Sequence, residues 1–279
     1  MFVIVPARAA LGLAAGLLAA GLALDAQAAD ASAWQQDSHS AVRLLAGSRS
    51  GQILLGGIAF QLQPGWKTYW RMPGDSGVPP RFDFSKSENV DAVTVLWPAP
   101  TKFDDGAGGH SLGYHGNVVL PLRITAKAAD KPVTLRASIN YAVCEKLCIP
   151  VEADAELGFS NVASTEDNAL FAALDTVPKP AAIGDSSPLS IREVKRDGKS
   201  RVLVDVVAPD SKQVDLYVEG PTPDWSLPIP TAVDAGPPGI RRFAFDLDGL
   251  PPGAKAEGAA LKFTLVGPDR SYEVQTKLE

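Results

Sequence analysis

The chain has 279 residues, with 26 Lys and Arg against 32 Asp and Glu, for a formal net charge of −6. That mild acidity offers no electrostatic footprint for nucleic acid, so nucleic-acid binding is set aside. Two cysteines and three histidines confine thiol and imidazole chemistry to a handful of positions.

The N-terminus reads as an export signal. Arg8 precedes an apolar run, Ala9–Leu24, and Ala26-Gln27-Ala28 supplies a small-x-small cleavage pattern. A basic start, a short apolar core and such a site describe a secretory signal peptide spanning residues 1–28. The run is shorter than the roughly 20 residues a spanning helix needs. No later stretch is apolar enough to cross a bilayer, so the expectation is a soluble exported protein. Cleavage removes Arg8 and Asp25 and leaves the net charge unchanged. The remaining length suits two domains better than one.

From there most of the chain reads as short strands. Gln52–Gln63, Val90–Trp97, Asn117–Ala126 and Val133–Val143 are rich in β-branched, aromatic and leucine residues. Turn clusters separate them: Gln63-Pro64-Gly65, Met72-Pro73-Gly74, Val78-Pro79-Pro80 and Trp97-Pro98-Ala99-Pro100. This pattern predicts an all-β, antiparallel sandwich over residues 29–176. A helix is predicted after Ser164-Thr165-Glu166-Asp167, with Leu170, Phe171 and Leu174 at helical spacing. Residues 177–188, rich in Pro, Ala, Gly and Ser, read as a linker. Beyond them Ser190–Val194, Arg201–Val207, Gln213–Val218, Arg241–Leu247, Ala259–Val266 and Tyr272–Leu278 predict a second, smaller β-sandwich domain over 189–279, without Cys or His.

Cys144 and Cys148 are the only cysteines, and three readings compete for them. A structural disulfide is common in exported proteins. Closing a five-residue loop, however, contributes only about 2 kcal/mol by chain entropy, and tight loops favour reducible bonds. Metal binding is the second reading: His110 and His115 with Cys144 and Cys148 would supply four ligands for zinc or copper. Gly106, Gly108, Gly109 and Gly113 around those histidines read as a mobile loop, a poor ligand frame. Thiol–disulfide exchange is the third, needing two close thiols, access and an oxidising compartment. The residues themselves leave all three open. No nucleophile-elbow pattern for a hydrolase is found, and no nucleotide or flavin motif, so no cofactor is expected.

Tyr141-Ala142-Val143-Cys144-Glu145-Lys146-Leu147-Cys148-Ile149-Pro150-Val151-Glu152 resembles the cysteine motif of the N-terminal domain of the thiol:disulfide interchange protein DsbD family. It is closer to the suppressor-of-copper-sensitivity B (ScsB-like) variant. Gly65-Trp66-Lys67-Thr68-Tyr69-Trp70-Arg71-Met72-Pro73-Gly74-Asp75-Ser76-Gly77 is similar to a second signature of that group, and Gly113–Pro121 to a third. Together they cover roughly residues 40–160. The resemblance implies an immunoglobulin-like β-sandwich in the periplasm. It would take electrons from a membrane electron-transfer protein and pass them to a periplasmic thioredoxin-like protein. The family's transmembrane and thioredoxin-like domains have no counterpart in this sequence, so the donor is expected to be another polypeptide.

The resemblance also assigns roles. Cys148 is expected to meet the partner and Cys144 to resolve the mixed disulfide. An aromatic cap over the disulfide falls to Phe103 or Tyr114, within or beside an expected flexible loop, Phe103–His110. Lys146 would favour a thiolate and Glu145 oppose it. Tyr141 either flanks the sulfurs or packs in its strand. Trp66, Tyr69 and Trp70 read as core, with a shield over the disulfide as the alternative. Asp75 and Asp104 are candidate proton-transfer or polar pocket groups, with Asp75 alternatively a simple turn former in Pro73–Gly77.

Overall fold

Alternation of apolar and polar side chains decides the layout. In Val133–Cys144 every second residue is buried as far as Ile139, the pattern of a strand with one face on a core. The computed structural model describes Met1 and residues 29–279, apart from 105, 107, 160–162, 209–212 and 234–238. Nearly all of the expected signal peptide, residues 2–28, therefore lies outside the described residues.

The first unit contains β1 (Gln35–Gln36), β2 (Ser40–Ser50), β3 (Ile53–Leu62), β4 (Lys67–Gly74), β5 (Arg81–Asp83), β6 (Val90–Val95), β7 (Thr101–Asp104), β8 (His110–His115), β9 (Asn117–Ala126), β10 (Val133–Cys144) and β11 (Cys148–Phe159). They form two sheets, one in the order β1-β2-β3-β9-β6 and the other β11-β10-β4-β8-β7, with β5 paired to β10. Every pairing is antiparallel. The immunoglobulin-like sandwich closes on Val42, Leu44, Ile58, Leu120 and Leu122 from one sheet and Trp70, Leu112, Leu135 and Ile139 from the other. Each such side chain contributes about 1.5–3 kcal/mol of burial.

One helix follows, α1 (Asp167–Asp175). It lies on the outer face of the first sheet, where Leu170 packs with Leu45 and Ala59. Two glycines make room: a Cβ on Gly47 or Gly57 would stand 2.6 or 2.7 Å from a Leu170 methyl. Asp167 fixes the start, accepting from the backbone N–H of Ser48 and of Ser164. Only Leu170 of the expected apolar stripe is buried. Phe171 is exposed, because a single helix laid on a sheet needs a narrow contact.

The second unit contains β12 (Lys179–Ala181), β13 (Ser190–Asp197), β14 (Arg201–Val207), β15 (Asp215–Glu219), β16 (Thr231–Val233), β17 (Ile240–Asp246), β18 (Ala260–Val266) and β19 (Ser271–Lys277). Its sheets run β12-β19-β18-β15 and β13-β14-β17-β16. Ile191, Val204, Leu216, Phe243, Phe263 and Val274 fill a core separate from the first.

Three sequence expectations change. The stretch 177–188 is not wholly a connector, since Lys179–Ala181 pairs in parallel with β19. Met72-Pro73-Gly74 is not a turn between strands but the end of β4, whose register jumps between Tyr69 and Gly74. The expected loop 103–110 begins and ends in paired strand, with Phe103 opposite Ser111 and Asp104 opposite His110, while residues 105 and 107 of it lie outside the described residues. Gly113 belongs to β8, and a Cβ there would lie 2.0 Å from the Thr68 carbonyl oxygen.

Trp70 is fully buried, 5.9 Å from the Tyr217 ring of the second unit. Trp70→Ala is expected to cost about 3–5 kcal/mol, seen as a lower denaturant midpoint by circular dichroism. An unchanged midpoint would contradict this placement.

Candidate functional site

The β10–β11 hairpin ends on the site. Its last register pair is Cys144 with Cys148, closed by Glu145, Lys146 and Leu147. Residues directly opposite on antiparallel strands point to the same face, and the two sulfurs are joined in a disulfide. Their exposure differs. Cys144 is 2% exposed and Cys148 lies at the surface. Leu147 beside it is 78% exposed.

Neighbouring strands supply the rest. Cys144 registers with Lys67 of β4, and Lys67 with His115 of β8. Tyr69, Gly113 and Thr101 form the next row. All these residues stand on the outer face of the sheet, opposite the sandwich core.

Tyr69 reaches the sulfurs. Its hydroxyl donates to Cys144 Sγ at 2.9 Å and lies 3.2 Å from Cys148 Sγ. Tyr69, Ala142 and Cys144 make a small buried cluster. The 73–77 turn passes over the ring: a Cβ on Gly77 would stand 2.7 Å from Tyr69 Cδ1 and 2.4 Å from Pro73 Cβ. Burial raises the Tyr69 phenol above its ordinary value, so the hydroxyl remains a protonated donor through neutral pH. After reduction the same donor faces a thiolate, and a hydrogen bond to the charged form lowers the thiol pKa.

Phe103 stands at the edge of this face. Its ring meets His115 edge-on with centroids 5.5 Å apart, and Lys67 Nζ lies 5.1 Å from its centroid. Lys67 also donates to Ser111 Oγ at 3.0 Å. Phe103 is thus placed beside the disulfide face, held by its own hairpin.

Other expected site residues fall elsewhere. Tyr141 is three positions from Cys144 and so points to the opposite face, where its hydroxyl hydrogen-bonds with that of Ser40 at 2.8 Å. Tyr114 also points inward and donates to the Pro98 carbonyl at 2.8 Å. Burial lifts its phenol well above the usual value. It is a core residue rather than a cap. Trp70 follows Tyr69 in the strand and therefore faces the core. Asp75 accepts from the His110 N–H at 2.8 Å while its own N–H donates to the His110 carbonyl. This pair staples the 73–77 turn to β8. Glu145 leans toward the Gly65 turn, where a Cβ would be 3.5 Å from its Oε1. Trp66 stacks on His39 at 3.8 Å.

The metal arrangement is not assembled. His110 and His115 are five positions apart on β8, an odd spacing that sends them to opposite faces. His110 Nδ1 lies 2.8 Å from Asp104 Oδ1. Among the described residues no group of three or more His, Cys, Asp or Glu side chains gathers.

Tyr69→Phe in the reduced protein is expected to raise the Cys144 thiol midpoint by about one to two pH units, the worth of a hydrogen bond to a charged group. The sign follows from the donor, which stabilises only the thiolate. Ultraviolet absorbance of the thiolate during a pH titration measures it, and an unmoved midpoint would separate the phenol from the sulfur chemistry.

Residues 36–159 match the family model described as thiol:disulfide interchange protein DsbD, N-terminal. The crystal structure of the N-terminal periplasmic domain of ScsB from Proteus mirabilis is similar, with a TM-score of 0.71 at 24% identity, covering 90% of this chain and 98% of that one. At that identity the likeness establishes the fold. A conserved domain protein from Bacillus anthracis is 12% identical, with 86% of this chain and 76% of that one covered, but its TM-score of 0.26 carries no argument. Comparison with curated proteins gives no match. Family and disulfide together support thiol–disulfide exchange in general. Residues 36–159 thus match the DsbD N-terminal family model, and the fold of the chain is similar to that of the ScsB N-terminal periplasmic domain.

Proposed function

We propose that this protein works in the periplasm, moving reducing equivalents from a membrane electron-transfer protein to a thioredoxin-like partner through Cys144 and Cys148. The observation that carries the reading is the asymmetry of the disulfide. One sulfur is exposed beside an exposed leucine, and the other is buried under a phenol donor.

The chemistry follows from that asymmetry. In the reduced protein the Cys148 thiolate attacks one sulfur of the partner's disulfide. That S–S bond breaks, a mixed disulfide forms, and the first partner sulfur leaves as a thiolate and takes up a proton. The Cys144 thiolate, held by Tyr69, then attacks Cys148 Sγ. The second partner sulfur leaves and is protonated, and the Cys144–Cys148 bond is restored. Two electrons have passed to the partner. Reduction by the donor runs the same steps backward, with Cys144 leaving as the stabilised thiolate.

A structural role fits less well. The hairpin already holds the two cysteines opposite each other through a ladder reaching Val133 and Phe159. A crosslink at its turn end, where residues 145–147 already close the hairpin, constrains little further, about 2 kcal/mol at most for so short a loop. Among the described residues no helix is long and apolar enough to cross a membrane.

Trapping tests the assignment. Cys144→Ala is expected to capture a thioredoxin-like partner as a stable mixed disulfide through Cys148, and Cys148→Ala to capture none. The opposite pattern would reverse the roles, and no capture by either would contradict exchange.

A further inference from the structure

The second unit lies against the reverse side of the strands that carry the site. In β15 the alternate residues Leu216 and Val218 enter the second core. Asp215, Tyr217 and Glu219 therefore share the other face. Each of the three meets the first unit. Lys102, adjacent to Phe103, pairs with Asp215 at 2.8 Å. Trp70, adjacent to Tyr69, meets Tyr217. Arg71 meets Glu219.

The Arg71 contact is the most developed. Nε donates to Glu219 Oε1 at 2.9 Å and Nη2 to Oε2 at 2.8 Å, a two-pronged fork. Nη2 also donates to Glu273 Oε2 of β19 at 2.6 Å. The three side chains are only 18%, 19% and 24% exposed. The guanidinium carbon lies 4.5 Å from the centroid of the Trp70 ring. Arg71 belongs to the segment between Tyr69 and Gly74 where β4 loses its register with β8. Residues 70–73 have no register partner on β8; pairing resumes at Gly74 with Ser111 and at Asp75 with His110, and the segment continues into the stretch that covers the Tyr69 ring.

We propose that Arg71, Glu219 and Glu273 are positioning residues for the redox pair: through this clamp the second unit holds the unladdered part of β4, and with it the Tyr69 hydroxyl, against the two sulfurs. The clamp deepens the exchange reading and rests on it for its purpose, but the geometry it controls can be measured without any partner.

The test is a coupling experiment on the reduced, full two-unit chain, reading the Cys144 thiolate by ultraviolet absorbance against pH. Glu219→Gln combined with Glu273→Gln is expected to raise the midpoint in the same direction as Tyr69→Phe, so the thiolate fraction near neutrality falls several-fold. In the Tyr69→Phe background the two Gln substitutions should add nothing, since a residue acting through Tyr69 has no further route to the sulfur. Arg71→Lys keeps a cation for both carboxylates but loses the fork. It supplies the same reading if the double variant does not fold, and should give the same direction of shift. An unmoved midpoint in a variant whose unfolding transition is intact overturns the proposal, as does a shift of equal size with and without Tyr69. If the shift and its dependence on Tyr69 are found but no thioredoxin-like partner is reduced, the clamp stands and the exchange reading fails. If variants with unmoved midpoints reduce a partner at the normal rate, the exchange reading stands and the clamp fails.

Discussion

The register of β10 is the constraint on which the site depends. Cys144 is paired on one side with Cys148 and on the other with Lys67. A slip of one residue would turn both sulfurs into the core and bring Tyr141 and Val143 out. The alternating burial of Val133 to Ile139 makes such a slip costly, because it would expose Leu135 and Ile139 to water. The energy that fixes the position of the sulfurs is thus mostly hydrophobic and lies several residues away from them.

Given that register, the two cysteines become chemically unlike. Cys144 stands inside the sheet, between β11 and β4, and Cys148 stands on the edge strand. The interior sulfur receives the Tyr69 hydroxyl, and the edge sulfur keeps an open approach. Strand alternation then divides the labour of β4 among adjacent residues. Lys67 and Tyr69 serve the outer face, Thr68 bonds the Ala142 carbonyl from the inner side, and Trp70 fills the core. Arg71 ties the same strand to the second unit, whose face is built by the same alternation in β15.

Much of this is legible in the sequence. The strands Asn117–Ala126 and Arg201–Val207 have the limits read from residue type, since Gly, Pro and charged residues bound clear apolar runs. The cysteine spacing points to a reactive pair because the loop is short. Ser40–Ser50 is less visible, with Arg43 and Gly47 interrupting an otherwise apolar run. Closeness in sequence or aromatic character alone suggests Tyr114, Trp70 and Tyr141 as neighbours of the sulfurs. Parity corrects Tyr141 and Trp70, since an odd step from Cys144 or from Tyr69 leads to the other face. Tyr69 reads first as core, with a shield over the disulfide only as the alternative, because the pairing of Lys67 with Cys144 joins positions far apart in the chain. The Arg71 clamp is longer in range still.

The most direct measurement of the central claim is the redox equilibrium of Cys144 and Cys148 against glutathione. A pair that passes electrons should equilibrate with that buffer, with a potential between about −300 and −120 mV, the span of exchange-active dithiols. A potential well below about −300 mV would mark a structural bond and would contradict the account.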